Sequence, residues 1–213
     1  MRATGVLAVL GAALALAHPA DAQQRGVRLG LTLEGAATTS SGGIRATVEE
    51  PEGTLAAELT QGASGAFAVR ADLEHGRWRV EFGAQYVPAE LAIEFTDGTR
   101  IGGGGVAAGV AELVPRLGYR FLGTADGGAL RLLAGPSLQY WSVDLTDSRV
   151  TVALGVDLQL EAPLAERLRL AARGGITRGP SFLGSEDAVE GLIEATGVTR
   201  WQGGIGLRWR VGS

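Results

Sequence analysis

Between Val27 and Val211 the chain alternates apolar and polar residues with a period of two, and it does so in eight separate stretches. Leu29, Leu31 and Leu33 alternate with Gly30, Thr32 and Glu34. Trp78, Val80, Phe82, Ala84 and Tyr86 interleave with Arg79, Glu81, Gly83 and Gln85. Val150, Val152, Leu154, Val156, Leu158 and Leu160 oppose Thr151, Gly155, Asp157, Gln159 and Glu161. The same pattern recurs around Phe67–Glu74, Glu112–Phe121, Leu130–Tyr140, Leu168–Thr177 and Arg200–Val211. A repeat of two over about ten residues means an extended strand with one apolar and one polar face. Helical spacing is nowhere sustained, so the expected class is all-β.

The connections sort into two kinds. Glu74–Arg77, Leu122–Ala129 and Ala162–Arg167 are short, and two of the three contain the glycine that suits a tight reversal. The connections Ala37–Ser64, Pro88–Ala108, Ser142–Arg149 and Gly179–Gly197 are long and are read as loops. Short turns on one rim and long loops on the other describe an eight-stranded antiparallel up-and-down β-barrel. No linker or second domain is apparent.

The first residues carry a separate message. Met1-Arg2 precedes an uninterrupted apolar run, Gly5–Ala17, and Ala20-Asp21-Ala22 follows with small residues flanking a cleavage point. Such a run is too short to span a bilayer as a helix, which needs about 20 residues. Residues 1–22 are therefore expected to be a secretory signal peptide, leaving 23–213 as the barrel domain. A membrane-embedded mature chain would have to cross as strands.

Alternation alone does not say which face looks outward, because soluble barrels enclose their apolar face and membrane barrels expose it. Aromatic placement favours exposure. Trp78 and Tyr86 are eight residues apart, as are Trp201 and Trp209. Eight tilted strand residues rise about 20 Å, close to the ~25 Å separating the aromatic girdles of a membrane barrel. Tyr119 would join Trp78 and Trp209 on the short-turn rim, and Tyr140 would join Tyr86 and Trp201 on the other.

The polar face mixes opposite charges with glycines, and every basic residue of the chain is Arg. Arg70, Glu81, Glu112, Arg116, Arg131, Asp157, Arg173 and Arg208 are the expected lumen charge network. Desolvated charges persist when paired and hydrogen-bonded, and the planar guanidinium fork suits such pairing. The expected protein is thus a transmembrane barrel with a plugged, charged interior. Two other readings stay open at this point: a secreted soluble barrel binding an apolar ligand, and a narrow anion-preferring pore.

Gln202-Gly203-Gly204-Ile205-Gly206-Leu207-Arg208-Trp209 resembles the C-terminal recognition strand of bacterial outer-membrane proteins: polar, x, Gly, apolar, x, apolar, x, aromatic. The stretches Leu113–Tyr119 and Leu130–Leu138 are similar to strands of the small OmpA/OmpX-like barrel family. Arg210-Val211-Gly212-Ser213 follows Trp209 here, whereas family members commonly finish on an aromatic residue. The resemblance implies a bacterial outer-membrane location. It also implies contact with outer-membrane lipid and lipopolysaccharide, and insertion by the barrel-assembly machinery through the C-terminal strand. It implies no activity.

Chemistry is not indicated. The chain has no Cys, and its one His beyond the signal segment, His75, falls in a short turn. No metal-ligand spacing appears, and no cofactor is expected. Gly102–Gly105 lacks the Lys-Ser/Thr and the helix of a phosphate loop. A net charge of −4 argues against nucleic acid as a partner. The four long connections hold 13 acidic residues against Arg45, Arg100 and Arg149, and are expected to be soluble exposed loops. The expectation is a non-enzymatic, monomeric barrel with a structural or surface-interaction role.

Overall fold

The computed structural model describes residues 26–50, 53–95, 100–143, 148–181 and 193–211. They form eight strands: β1 (Val27–Glu50), β2 (Gly53–His75), β3 (Trp78–Phe95), β4 (Arg100–Gly123), β5 (Ala129–Val143), β6 (Arg149–Pro163), β7 (Leu168–Gly179) and β8 (Ile193–Val211). Each pairs antiparallel with its neighbours in sequence, and β8 returns to β1, closing the barrel. Closure satisfies every backbone ladder and leaves no edge around the belt, as a strand protein needs in lipid. The segment read as a signal peptide lies outside the described residues.

Size follows from the register. Register partners can be followed once round the barrel from Arg28 through Glu74, Arg79, Gly118, Leu133, Asp157, Gly175 and Gln202. The path returns to β1 at Thr38, ten residues further on. With ~3.3 Å per residue and ~4.8 Å between strands, that stagger tilts the strands by about 40° and gives a radius of about 8 Å. Only side chains fit within such a cylinder. Each residue along a strand climbs about 2.5 Å along the barrel axis at that tilt.

The short rim matches its sequence. Gly76 and Arg77 alone connect β2 to β3, and Gly76 takes a positive φ of 60° that a side chain would strain. The long connections differ from expectation. β1 and β2 continue to Glu50 and from Gly53, β3 and β4 to Phe95 and from Arg100, and β8 starts at Ile193. Most of Ala37–Ser64 and Pro88–Ala108 is therefore ladder rather than loop. Above the apolar belt neither face must sort lipid from lumen, so pairing continues without the alternation that would announce it. The side chains of the 13 acidic residues assigned to these connections lie outside the described residues.

The extension is lopsided. β1, β2 and β4 run 24, 23 and 24 residues, whereas β7 runs 12. At the axial rise above, the wall built from β8, β1, β2, β3 and β4 stands roughly 15–20 Å taller than the wall of β5–β7.

Candidate functional site: the charged lumen

The barrel presents its apolar face outward. Leu154 and Ile205 are 69% and 65% exposed, and Leu158 and Leu207 are exposed as well, whereas Arg116, Arg173 and Arg208 are buried. A continuous apolar exterior of this kind cannot face water without aggregating and matches a hydrocarbon belt. Trp78, Tyr86, Trp201 and Trp209 project from this surface in two bands. Tyr119 and Tyr140 face the same way but are half-buried, and Tyr119 packs edge-to-face on Trp78 with ring centroids 4.9 Å apart. Phe82 breaks the pattern by lying exposed in mid-belt.

All eight residues of the expected charge network point inward and are buried, and Gln159 links two of their groups by accepting from Arg173 at 2.9 Å and donating to Glu161 at 3.1 Å. They are distributed over three tiers. In the middle tier Arg173 Nη1 and Nη2 donate to the two carboxylate oxygens of Glu81, each at 2.8 Å. Arg70 donates to both oxygens of Glu34 at 3.1 and 3.2 Å, and to Gln85 Oε1. Arg116 Nε donates to Asp157 at 3.0 Å, while its Nη1 donates to the carbonyls of Gly135 and Pro136 at 2.8 and 2.6 Å. Gly155 makes room for this arginine, since a Cβ there would collide with the Arg116 guanidinium. Three arginines and three carboxylates balance here.

In the far tier Arg200 grips both oxygens of Glu112, which also accepts from Gln139 Nε2 at 2.9 Å. Above it Val87, Val110, Val198 and Trp141 form an apolar cap inside the barrel, with Trp141 Nε1 donating to Thr151 Oγ1 at 3.1 Å. This cap was not legible in the alternation. Trp141 follows the outward-facing Tyr140, so alternation already turns it inward; only the register shows that it meets Val87, Val110 and Val198.

The tier at the short-turn rim is the densest. Arg208 donates to both oxygens of Asp72 at 2.9 and 2.5 Å. Arg79 donates to Glu74 at 2.9 Å and to Glu161 at 2.5 Å, and Arg131 donates to Glu74 at 2.7 Å. Gly30 lets this happen, because a Cβ at that position would strike Asp72 and Arg208. Glu34, Asp72, Glu74, Arg79, Glu161 and Arg200 thus supply partners that the expected set lacked. Their inward orientation was readable, but their pairing between strands, over as many as 136 residues of sequence, was not.

The β4–β5 turn, residues 124–128, folds across the mouth of this tier. Arg169 donates to the carbonyls of Ala125, at 2.9 Å, and Gly127, and Arg210 donates to the Ala125 carbonyl. Asp126 pairs with Arg28 of β1 at 3.1 Å and Arg210 of β8 at 2.9 Å. The hydrogen bond from Arg210, with the charge of Arg28, holds the Asp126 carboxyl below the usual aspartate range.

Fold and lumen together define a membrane-spanning β-barrel with a solid, ion-paired core. Several solved structures share the fold. OprG from Pseudomonas aeruginosa aligns over 87% of this chain and 97% of its own, with a TM-score of 0.58 and 12% identity. Neisserial surface protein A aligns over 86% and 97%, with a TM-score of 0.54 and 13% identity. The outer membrane protein AlkL, solved in lipid bilayers, aligns over 87% and 90%, with a TM-score of 0.52 and 13% identity. The chain therefore has the fold of the small outer-membrane barrels. No family model and no curated protein matches its sequence.

Among the described residues no group of His, Cys, Asp or Glu could hold a metal ion. His75 is exposed at the end of β2, against the short turn.

Proposed function

We propose that this protein is a monomeric, non-enzymatic barrel of the bacterial outer membrane that acts as a surface-presentation module. The observation carrying the reading is the height difference of the wall above a filled lumen. The lower half of the barrel is an anchor, with lipid outside and ion pairs inside. The upper half, made by β8 and β1–β4, extends beyond the belt into the exterior and offers a broad curved sheet for contact. A charged interior with paired carboxylates and guanidinium groups does not suit an apolar ligand, which counts against the soluble-barrel alternative. The paired tiers and the apolar cap favour a plug over an anion-preferring pore.

The C-terminal strand, ending its periodic stretch on Trp209, is the segment that the barrel-assembly machinery would read, and lipopolysaccharide would surround the far aromatic band. Because the chain contains no Cys, single cysteines test this arrangement directly. Glu50→Cys, at the end of β1, is expected to react with a membrane-impermeant maleimide on intact cells. Arg77→Cys, in the β2–β3 turn, is expected to react only after permeabilisation. Labelling of Arg77→Cys alone on intact cells would reverse the topology. Steady current from the purified protein in planar bilayers would favour the pore.

A further inference from the structure

The three tiers differ in net charge. The middle tier balances Arg70, Arg116 and Arg173 against Glu34, Glu81 and Asp157, and the far tier balances Arg200 against Glu112. At the short-turn rim, seven arginines (28, 79, 120, 131, 169, 208 and 210) pair, among the described residues, with Asp72, Glu74, Glu161 and Asp126 alone. Guanidinium groups do not deprotonate in proteins. Among the described residues this tier therefore carries three uncompensated positive charges at one end of a narrow, largely desolvated cylinder.

The register makes the excess more acute. Arg120 stands directly opposite Arg131 on the β4–β5 ladder, and Arg169 directly opposite Arg208 on β7–β8. Like charges facing each other across a ladder repel. Arg120 and Arg131 also compete for one acceptor, Glu74 Oε1, at 3.3 and 2.7 Å. Arg131 is fully buried, yet among the described residues its Nε and Nη1 make no hydrogen bond, and neither does Arg120 Nε. Buried guanidinium donors left unpaired are expensive. Water could satisfy the N–H groups but would leave the charge uncompensated.

We infer that the short-turn tier holds a small inorganic anion of about chloride size, bound by Arg131 and Arg120 beneath the β4–β5 turn. The anion would accept from Arg131 Nη1 and from Arg120 Nε, separate the two facing cations and leave Glu74 to Arg79 and Arg131. Its role is that of a structural counterion that completes the core, independent of whatever the outer sheet contacts. The surface labelling above can fail while this site stands, and the reverse also holds.

Crystals of the wild-type protein grown in bromide and measured at the bromine absorption edge test the site. We expect an anomalous peak in contact with Arg131, and none in Arg131→Gln. Arg120→Gln, which keeps Arg131, serves as the second variant and should lower the occupancy. In solution, urea unfolding of the wild type is compared in chloride and in gluconate at one ionic strength. With chloride at ten times its dissociation constant, the folding equilibrium should shift about tenfold toward the folded state. A wild-type lumen without a bromide peak beside Arg131 overturns the proposal. So does a peak undiminished in both variants, or an unfolding equilibrium that is the same in the two salts.

Discussion

Arg173 of β7 and Glu81 of β3 lie 92 residues apart in sequence and meet across the barrel through two parallel hydrogen bonds of 2.8 Å. Both side chains are essentially buried. A fork-to-fork contact of this kind spans the lumen at mid-height and fixes two walls of the cylinder relative to each other. Arg70, at 3.7 Å from Glu81, ties β2 to the same carboxylate.

Removing one partner should therefore be worse than removing both. Glu81→Met leaves the Arg173 guanidinium desolvated without its carboxylate, and is expected to destabilise the barrel by about 3–5 kcal/mol. Glu81→Met combined with Arg173→Met should recover much of that loss, since two apolar chains of similar length pack where the pair stood. Reversible urea unfolding in lipid vesicles, run as a double-mutant cycle, measures the coupling. Equal losses for the single and double variants would remove the pair from the stabilising core.

The outward apolar face makes a prediction of opposite sign to solubility intuition. Ile205 lies on the belt, on β8, about midway between Trp201 and Trp209 in sequence. Ile205→Arg should lower folding stability in vesicles by about 2–4 kcal/mol, the range for a cation at the bilayer midplane. A water-exposed position would tolerate the same change within about 0.5 kcal/mol.

The four tryptophans divide by face. Trp78, Trp201 and Trp209 project into the surroundings, whereas Trp141 is buried in the apolar cap. With single-tryptophan variants in bilayers of brominated lipid, strong quenching is expected for the three outward residues and little for Trp141. Uniform quenching of all four would place Trp141 on the wall rather than within it.

Asp126 joins Arg28 and Arg210, which belong to the two strands that close the barrel. Its carboxyl is shifted below the ordinary value of 3.8, so folding favours the charged form. The stabilisation is then fully present above the unfolded value and is lost as pH falls through the lower, folded one. Because Asp126 is largely solvent-exposed, the effect should be confined to the rim. Carboxyl NMR titration should give a midpoint below 3.8, and amide exchange at the β1–β8 seam should quicken below that midpoint. Asp126→Asn should show the quicker exchange at neutral pH.

Much of the fold was legible because lipid and lumen impose opposite demands on successive residues. The eight alternating stretches named the strands. The glycine at position 76 marked one turn, and the aromatic spacing of Trp78 with Tyr86 and of Trp201 with Trp209 gave the height of the belt. Where those demands end, so did legibility: Ser40–Glu50 and Arg100–Ala107 pair as strands without strict alternation, because water lies beyond the belt and either face tolerates polar or small residues.

Chain composition and period fixed an all-β barrel of two-faced strands and sorted each charged residue onto its polar side, since side-chain direction along a strand is a local property. Which arginine meets which carboxylate was decided only by closure. The ten-residue stagger brings Arg208 to Asp72, Arg200 to Glu112 and Arg120 opposite Arg131, and gathers Trp141 with Val87, Val110 and Val198 into the apolar cap. Partners separated by a whole barrel wall are chosen by register and tilt, which arise from all eight strands together and are written in none of them singly.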